Sequence, residues 1–447
     1  MRIVIVGAGK MGYSLADYLT KEQHDIIVIE NDENRREIIK STLDVLTLEG
    51  NGANPAILGD PDIKNADVLI ACTYSDEVNM VICMMAKKVG IKKTVARIRS
   101  TEYTGEASEF IRDFTNIDLI LNPEKIIASE ISQVVSTPFA LDVEDFAEGE
   151  ICMVETKIKE NSLYINTPLH SLNMPENLLI TGILRKNNLI IPRGNDMLLP
   201  NDNVFFIGLK DTIEKIEENL DTKVPKIKRA LIIGAGRIAR YLVPILEKQD
   251  ISIKVIDKNL SRCEEMANVS KNVMIIYGDG TNIELLKQEG VEEADVVICL
   301  TEDDKLNLLL ALLAKHLGTP KTIVKTALTE YVELMEEVGA DTVVSTRLLN
   351  VQEVLRFVRT GGGVLRVSLF EGAKAEIIEI IIKENNPLVG IPLKNVDITS
   401  NYLICAVIHE GKAIIPNGNT VLYAGDRAII FVEFGAVNDI LAYFQER

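Results

Sequence analysis

Apolar residues in this chain fall in short runs bounded by glycine and polar residues. The runs alternate with stretches whose apolar positions recur at helical spacing. In the first part of the chain they predict strands at Ile3–Val6, Ile26–Ile29, Val45–Leu48, Val68–Ala71, Val95–Ile98 and Leu119–Leu121. Met11, Leu15 and Leu19, at i, i+4 and i+8, predict a helix over Lys10–Lys21. Apolar strands separated by helices imply a parallel sheet covered on both faces. From residue 138 the pattern changes to short alternating strands with Gly-Asn and Asn-Asp turns, closing on a helix over Asp211–Leu220. That pattern predicts a small α+β unit.

The whole pattern then occurs a second time. MRIVIVGAGKMG returns as RALIIGAGRIAR, with Gly7 matched by Gly234 (234 − 7 = 227). Glu30 is matched by Asp257 at the same spacing, and Thr73 by Thr301 (301 − 73 = 228). In the back units IIPRGN returns as IIPNGN, with Pro192 matched by Pro416 (416 − 192 = 224). Length alone, at 447 residues, suggests about three domains; the duplication makes it four. The fold class is α/β: two tandem Rossmann-like, doubly wound parallel-sheet domains (1–137 and 225–360), each followed by a small α+β domain (138–224 and 361–447). The breaks fall at Thr137-Pro138, at the polar linker Asp221–Arg229 and at Thr360–Gly363.

Gly7-x-Gly9-x-x-Gly12 follows a strand and opens a helix, the context that gives this spacing chemical meaning. The first glycine allows a tight turn, the second lets backbone approach a pyrophosphate, and the third lets helix and strand pack closely. The helix N-terminus offers free N–H groups and a positive dipole end to phosphate. Glu30 stands 21 residues after Gly9 (30 − 9), and Asp257 stands 21 after Gly236 (257 − 236). A carboxylate there accepts from a ribose 2′-OH and repels a 2′-phosphate, favouring NAD or an adenine nucleotide over NADP. The second motif, Gly234-x-Gly236, carries Ala239 in the third glycine's place and Pro244 in the following helix, where a kink is expected.

Ligands of such sheets sit outside the carboxyl ends of the strands, at the point where strand order reverses. This adds Asn51, Gly278 and Asp279 after the third strands, and Thr73, Tyr74, Thr301 and Glu302 after the fourth. Arg97 and Lys325 follow at the fifth, and Lys10 and Arg237 in the glycine loops. Here Asn51-Gly52 stands where the second copy has Gly278-Asp279.

Charge and composition exclude several other classes. Lys+Arg number 48 and Asp+Glu 66, a net charge of −18, which argues against nucleic acid as a partner. With 47% hydrophobic and 26% charged residues the chain is ordinary globular material. No apolar stretch approaches the about 20 residues that span a bilayer, and the start lacks a leader's pattern. The six cysteines are scattered, with no C-x-x-C, which suits a reducing, cytosolic setting and suggests no metal. The four histidines (His24, His170, His316, His409) do not recur between copies and none falls at the expected nicotinamide end. Neither Tyr-x-x-x-Lys nor H-E-x-x-H occurs. Two nucleotide folds without acid–base equipment point to a sensor; the alternative is an NAD-dependent oxidoreductase using the back units for substrate.

On IVGAGKMG with Glu30, IIGAGRIA with Asp257, Gly278–Thr281, ADVLIACTYSDEVN, ADVVICLTEDDKLN and the two back-unit motifs, the sequence resembles the TrkA family. These are the RCK (KTN) regulatory subunits of Trk-type potassium uptake systems, and the resemblance covers essentially the whole chain. It implies NAD(H) or ATP/ADP binding without an enzymatic reaction, and assembly as a homo-oligomer, a dimer or ring-forming tetramer. It also implies a membrane-embedded potassium transporter subunit as partner and a cytoplasmic, peripheral position on the inner face of the membrane. The binding positions it implies are Gly7, Ala8, Gly9, Lys10, Met11, Glu30, Thr73, Tyr74 and Ile98. In the second half they are Gly234, Ala235, Gly236, Arg237, Ile238, Asp257, Gly278, Asp279, Thr301 and Glu302.

Overall fold

The computed structural model describes residues 1–103, 106–137, 139–186, 188–216, 226–359, 364–370, 375–396, 402–433, 436, 440 and 444. The first sheet holds β1 (Arg2–Val6), β2 (Asp25–Glu30), β3 (Leu46–Glu49), β4 (Val68–Ala71), β5 (Lys93–Arg97) and β6 (Leu119–Leu121). Its order is β3-β2-β1-β4-β5-β6 and its pairings are parallel. That is the doubly wound arrangement, with the reversal of direction at β1 and β4. Several strands start or end a residue or two away from their apolar runs, because Asp25, Glu30 and Lys93 extend the ladder with polar side chains at its rim. Ile3, Ile5, Ile29 and Ile70 have no exposed surface, as strands covered on both faces require. The helix Lys10–Lys21 turns Leu15, Ala16 and Leu19 into this core.

The middle of the chain repeats the sheet with β12 (Arg229–Ile233), β13 (Ser252–Asp257), β14 (Met274–Tyr277), β15 (Val296–Cys299), β16 (Lys321–Thr326) and β17 (Thr342–Ser345). Their order is β14-β13-β12-β15-β16-β17. The helix Arg237–Glu247 runs through Pro244 as one element.

The strands between and after the two sheets are antiparallel. β7 (Asp142–Phe146), β8 (Ile151–Lys157), β9 (Leu178–Arg185), β10 (Asn188–Ile190) and β11 (Asn203–Leu209) order as β10-β9-β11-β8-β7. β18 (Val364–Phe370), β19 (Ala375–Ile381), β20 (Tyr402–His409), β21 (Lys412–Ile414) and β22 (Arg427–Glu433) reproduce that order as β21-β20-β22-β19-β18. One face of each sheet joins a common core in which Phe146, Met153 and Phe205 meet Ile377, Ile429 and Phe431. The Phe205 and Phe431 rings stand 5.8 Å apart. Gly182 makes room: a Cβ there would lie 2.8 Å from Phe431 Cζ.

The helix expected at Asp211–Leu220 starts at Lys210 and is described to Ile216. Most of the linker at 221–229 and the break at 360–363 lie outside the described residues. Among the described residues no helix is long and apolar enough to cross a membrane.

Contacts divide the chain into two compact units that do not follow the duplication. One comprises Met1–Ala128, Thr326–Tyr331 and Ser345–Val358; the other comprises Ser129–Lys325, Val332–Val344 and Arg359–Arg447. Within the first unit, Lys93 Nζ donates to Phe357 O at 3.3 Å and Val358 O at 3.4 Å, capping the end of the second copy's helix Thr346–Arg359. Within the second unit the matching lysine (321 − 93 = 228), Lys321, donates to Val134 O and Ala140 O at 3.4 Å. It caps the end of the first copy's helix Pro123–Ser136. Burial pushes the Lys321 amine down to about 8.

Candidate nucleotide-binding sites

In the first sheet the chain leaves β1 through Gly7, whose φ of +100° only glycine adopts without strain. Gly234 repeats this at +111°. A Cβ on Gly12 would lie 1.9 Å from Gly7 O, so that glycine sets how closely the helix approaches the turn. Ala239 fills the matching place in the second copy with no exposed surface.

Gly9 and Gly236 differ from these: among the described residues, nothing beyond their own chain neighbours and helix backbone lies within 4 Å of the place a Cβ would take. Both are extended N-caps without a side-chain cap, which leaves the first N–H groups of their helices, beside that space, without a cap bond. Lys10 and Arg237 are exposed at the first helical position beside that space. Such a cradle fits a nucleotide pyrophosphate.

Glu30 and Asp257, expected on a ribose, also bind the loop. Glu30 Oε2 accepts from Ala8 N at 2.6 Å, and Oε1 accepts from Asn31 N at 2.8 Å and Asp32 N at 3.0 Å. Asp257 Oδ2 accepts from Ala235 N at 2.7 Å and Oδ1 from Asn259 N at 2.8 Å. The N–H groups of Ala8 and Ala235 are therefore already engaged. Each carboxylate keeps lone-pair capacity for a further hydroxyl donor.

At the end of β4, Thr73 is fixed from below. Its N–H and its hydroxyl both donate to Asn79 Oδ1, at 2.9 and 2.7 Å, while Asn79 Nδ2 donates to Arg97 O at 2.8 Å. In the second copy Thr301 N and Oγ1 donate to Asn307 Oδ1 at 2.8 and 2.7 Å, and Asn307 Nδ2 donates to Lys325 O at 3.0 Å. Both asparagines have no exposed surface. They recur at the ends of SDEVN and DDKLN, and only the fold shows that each ties the ends of two neighbouring strands, β4 to β5 and β15 to β16.

Arg97 and Lys325 turn inward to the same threonine carbonyls: Arg97 Nη1 to Thr73 O at 3.2 Å, and Lys325 Nζ to Thr301 O at 2.9 Å. Burial, aided by Arg99, pushes the Arg97 guanidinium down. Ile98 lies in the core with no exposed surface. Met11 and Ile238 are half-buried on the first turns of their helices.

The structure shifts one correspondence. Asn51 matches Asp279, not Gly278: Asn51 Oδ1 accepts from Ala53 N and Asp279 Oδ1 from Thr281 N, both at 2.9 Å. Gly52 and Gly280 follow, each against the last apolar residue of the central strand, with a Cβ 2.2 Å from Val6 Cγ1 or 2.6 Å from Ile233 Cγ2. The two turns are thus the same turn, differing by one charge. Gly278 lies just before it, with a Cβ position only 2.5 Å from Leu285 Cδ2.

Tyr74 is 95% exposed, whereas Glu302 pairs with Arg262, a residue the sequence reading passed over. The histidines lie elsewhere: His170, in a short helical turn between β8 and β9, has Nδ1 2.7 Å from Gly194 O, and His409, at the end of β20, has Nδ1 2.7 Å from Asp426 Oδ1. His24 precedes β2 near Glu22, and His316 ends a helix. Among the described residues no cluster of three metal-ligating side chains forms.

A family model described as the TrkA-N domain matches residues 3–123 and again 230–346, and the TrkA-C domain matches 153–221 and 377–445. The chain belongs to the TrkA family. Among TrkA relatives, Trk system potassium uptake protein TrkA homolog 1 of Methanosarcina mazei is 37% identical over 453 residues, covering 100% of both chains. Trk system potassium uptake protein TrkA of Halomonas elongata is 31% identical over 453 residues, covering 100% of this chain and 99% of the other. Of solved structures, the GsuK channel bound to NAD matches this TrkA chain with a TM-score of 0.65 at 17% identity, covering 99% of this chain and 78% of the other. The GsuK RCK domain matches with 0.64 at 19% identity, covering 100% and 95%. At such identities the likeness is one of fold.

Proposed function

We propose that this TrkA chain is a regulatory subunit of potassium uptake that binds NAD(H), or ATP/ADP, in both crevices. In this reading it controls a membrane-embedded Trk-type transporter subunit from the cytoplasmic face. The observation that carries the reading is the repeated cradle: open space over Gly9 and Gly236, helix N-termini aimed into it, and an acid at the ribose position. The four histidines lie elsewhere in the fold. The relatives named Trk system potassium uptake protein, and two GsuK structures, one bound to NAD and one to ADP, support the partner and the ligand class.

Gly7, Gly9, Lys10, Met11, Glu30, Asn51, Thr73 and Tyr74 line the first site in this reading. Gly234, Gly236, Arg237, Ile238, Asp257, Gly278, Asp279, Thr301 and Glu302 line the second. Arg97 and Lys325 act on it through the threonine carbonyls they hold. A bound dinucleotide would bring two phosphates and a ribose. The chain's own part is to meet the phosphates with N–H groups and cations and the ribose with a carboxylate. Binding moves the partner only through different affinity for two states of the subunit.

Assembly as a homo-oligomer has support in exposed apolar residues on neighbouring helices of the first Rossmann-like sheet. These are Val81 and Met84 on Asp76–Val89, and the stacked Phe110 and Phe114 on Glu106–Thr115, whose rings lie 6.0 Å apart. The four domains are 1–137, 138–224, 225–360 and 361–447.

The test is capture of the tagged full chain from detergent-solubilised membranes with and without NADH. Retention of a potassium-transporter subunit that changes with NADH is expected, and Glu30→Ala should reduce NADH affinity about tenfold or more, the loss of a charge-assisted hydrogen bond. Unchanged affinity in that variant would sink the first site. Steady turnover of NADH with a carbonyl substrate would replace regulation by catalysis.

A further inference from the structure

The two crevices have different mouths. In the second sheet β12 lies between β13 and β15. Arg262 stands in the first turn of the helix that follows β13, and Glu302 stands just beyond β15. A bond between them therefore passes over the carboxyl end of β12, where the glycine loop opens. The two side chains do form that ion pair. Both are anchored at their roots: Arg262 N donates to the helix cap Asn259, and Thr301, next to Glu302, is held by Asn307. Both tips reach solvent, at 37% and 82% exposure.

In the first copy the corresponding positions are Arg35 (262 − 227) and Tyr74 (302 − 228). A phenol offers Arg35 no carboxylate. The neighbouring Arg36 is turned away from the mouth, with Nη1 on Glu30 O at 3.0 Å and Asn31 O at 2.9 Å and Nη2 on Glu49 at 2.9 Å.

We propose that Arg262 and Glu302 form a strap across the second crevice that is exchanged when a nucleotide enters. Arg262 leaves Glu302 for a phosphate oxygen, and Glu302, a like charge beside the phosphate, swings outward. An exposed ion pair is weak enough to yield, and a guanidinium meets a phosphate in a stronger, forked contact. Glu302 thus opposes binding and Arg262 favours it, at the second site alone. The inference rests on reading both crevices as nucleotide sites.

The test titrates the full-length protein with NADH, followed by its fluorescence and by calorimetry, in a Glu30→Ala background that leaves the second site as the measurable one. Glu302→Gln is expected to tighten that site about threefold to fivefold, and Arg262→Gln to weaken it about tenfold, with Arg262→Lys in between. Added salt should narrow the difference between Glu302→Gln and the parent. If both substitutions tighten binding, the pair only occludes the crevice and the exchange is wrong. If neither changes it while Asp257→Ala abolishes binding, the pair is an ordinary surface contact and the strap is overturned. If Asp257→Ala leaves binding intact, the nucleotide reading of the second crevice has failed and the strap falls with it. Both side chains are on the surface, and matching melting curves for parent and variants would separate an affinity change from a folding defect.

Discussion

The halves of this chain agree underneath their candidate sites and differ at the rims. Asn79 and Asn307 make the same bonds to the same threonine and strand end, although many of the residues around them differ. At the rims, Tyr74 stands where the second copy has Glu302 and Asn51 where it has Asp279; in the back units, Arg185 stands where the second copy has His409 (409 − 185 = 224). The last pair meets the same buried acid. Arg185 binds Asp202 through Nε at 2.9 Å and Nη2 at 2.7 Å, while His409 binds Asp426 (426 − 202 = 224) through Nδ1 at 2.7 Å. The copies share their braces and differ in side chains that reach solvent.

The largest effect should come from removing a brace. Asn79→Ala strands the Thr73 N–H and the Arg97 carbonyl and should cost about 4 kcal/mol, with Asn307→Ala costing the same. Denaturant unfolding measures both, and a loss confined to one copy would break the claim of a shared scaffold. Next comes the third glycine position. Gly12→Ala drives a methyl against the Gly7 carbonyl and should cost about 3 kcal/mol. The reverse change, Ala239→Gly, should cost about 1 kcal/mol through helix propensity and lost packing. Equal effects would mean that the two helices approach their turns identically.

The smallest effect is a pH dependence. The Asp426 hydrogen bond and charge push the His409 imidazole above its ordinary value. Its stabilisation is therefore complete below the unfolded value near 6.5 and is lost as pH rises through the raised folded value. Glu410 adds to the same direction. His409→Arg should flatten that slope in thermal unfolding measured across neutral pH, and Arg185→His should install it in the first back unit. A slope unmoved by either substitution would place its origin elsewhere.

Much of this was legible in the sequence. The glycine spacing, the acid 21 residues on and the apolar runs together specify a strand–turn–helix that must form a doubly wound sheet, and Thr73 and Thr301 fall at its reversal point as expected. Strand ends were less legible, because Asp25 and Lys93 are polar and an apolar pattern stops short of them. The Asn51–Asp279 match was misread by one residue, since copies that differ in spacing by 227 and 228 leave the register of a turn open until a packing contact fixes it. The loop bonds of Glu30 and Asp257 were hidden for another reason: an acid at this spacing carries the same motif whether or not it also binds its own loop. Lys93 and Lys321 gave no signal at all, because their acceptors lie more than 180 residues away and share no period with them.

Those two lysines have a consequence for how the molecule holds together. Each half supplies a helix whose final carbonyls are closed by an ammonium from the other half, so each half finishes the other's secondary structure. Within one chain this mutual completion is unimolecular and does not weaken on dilution. Severed halves would have to find each other, and their stability would then depend on concentration.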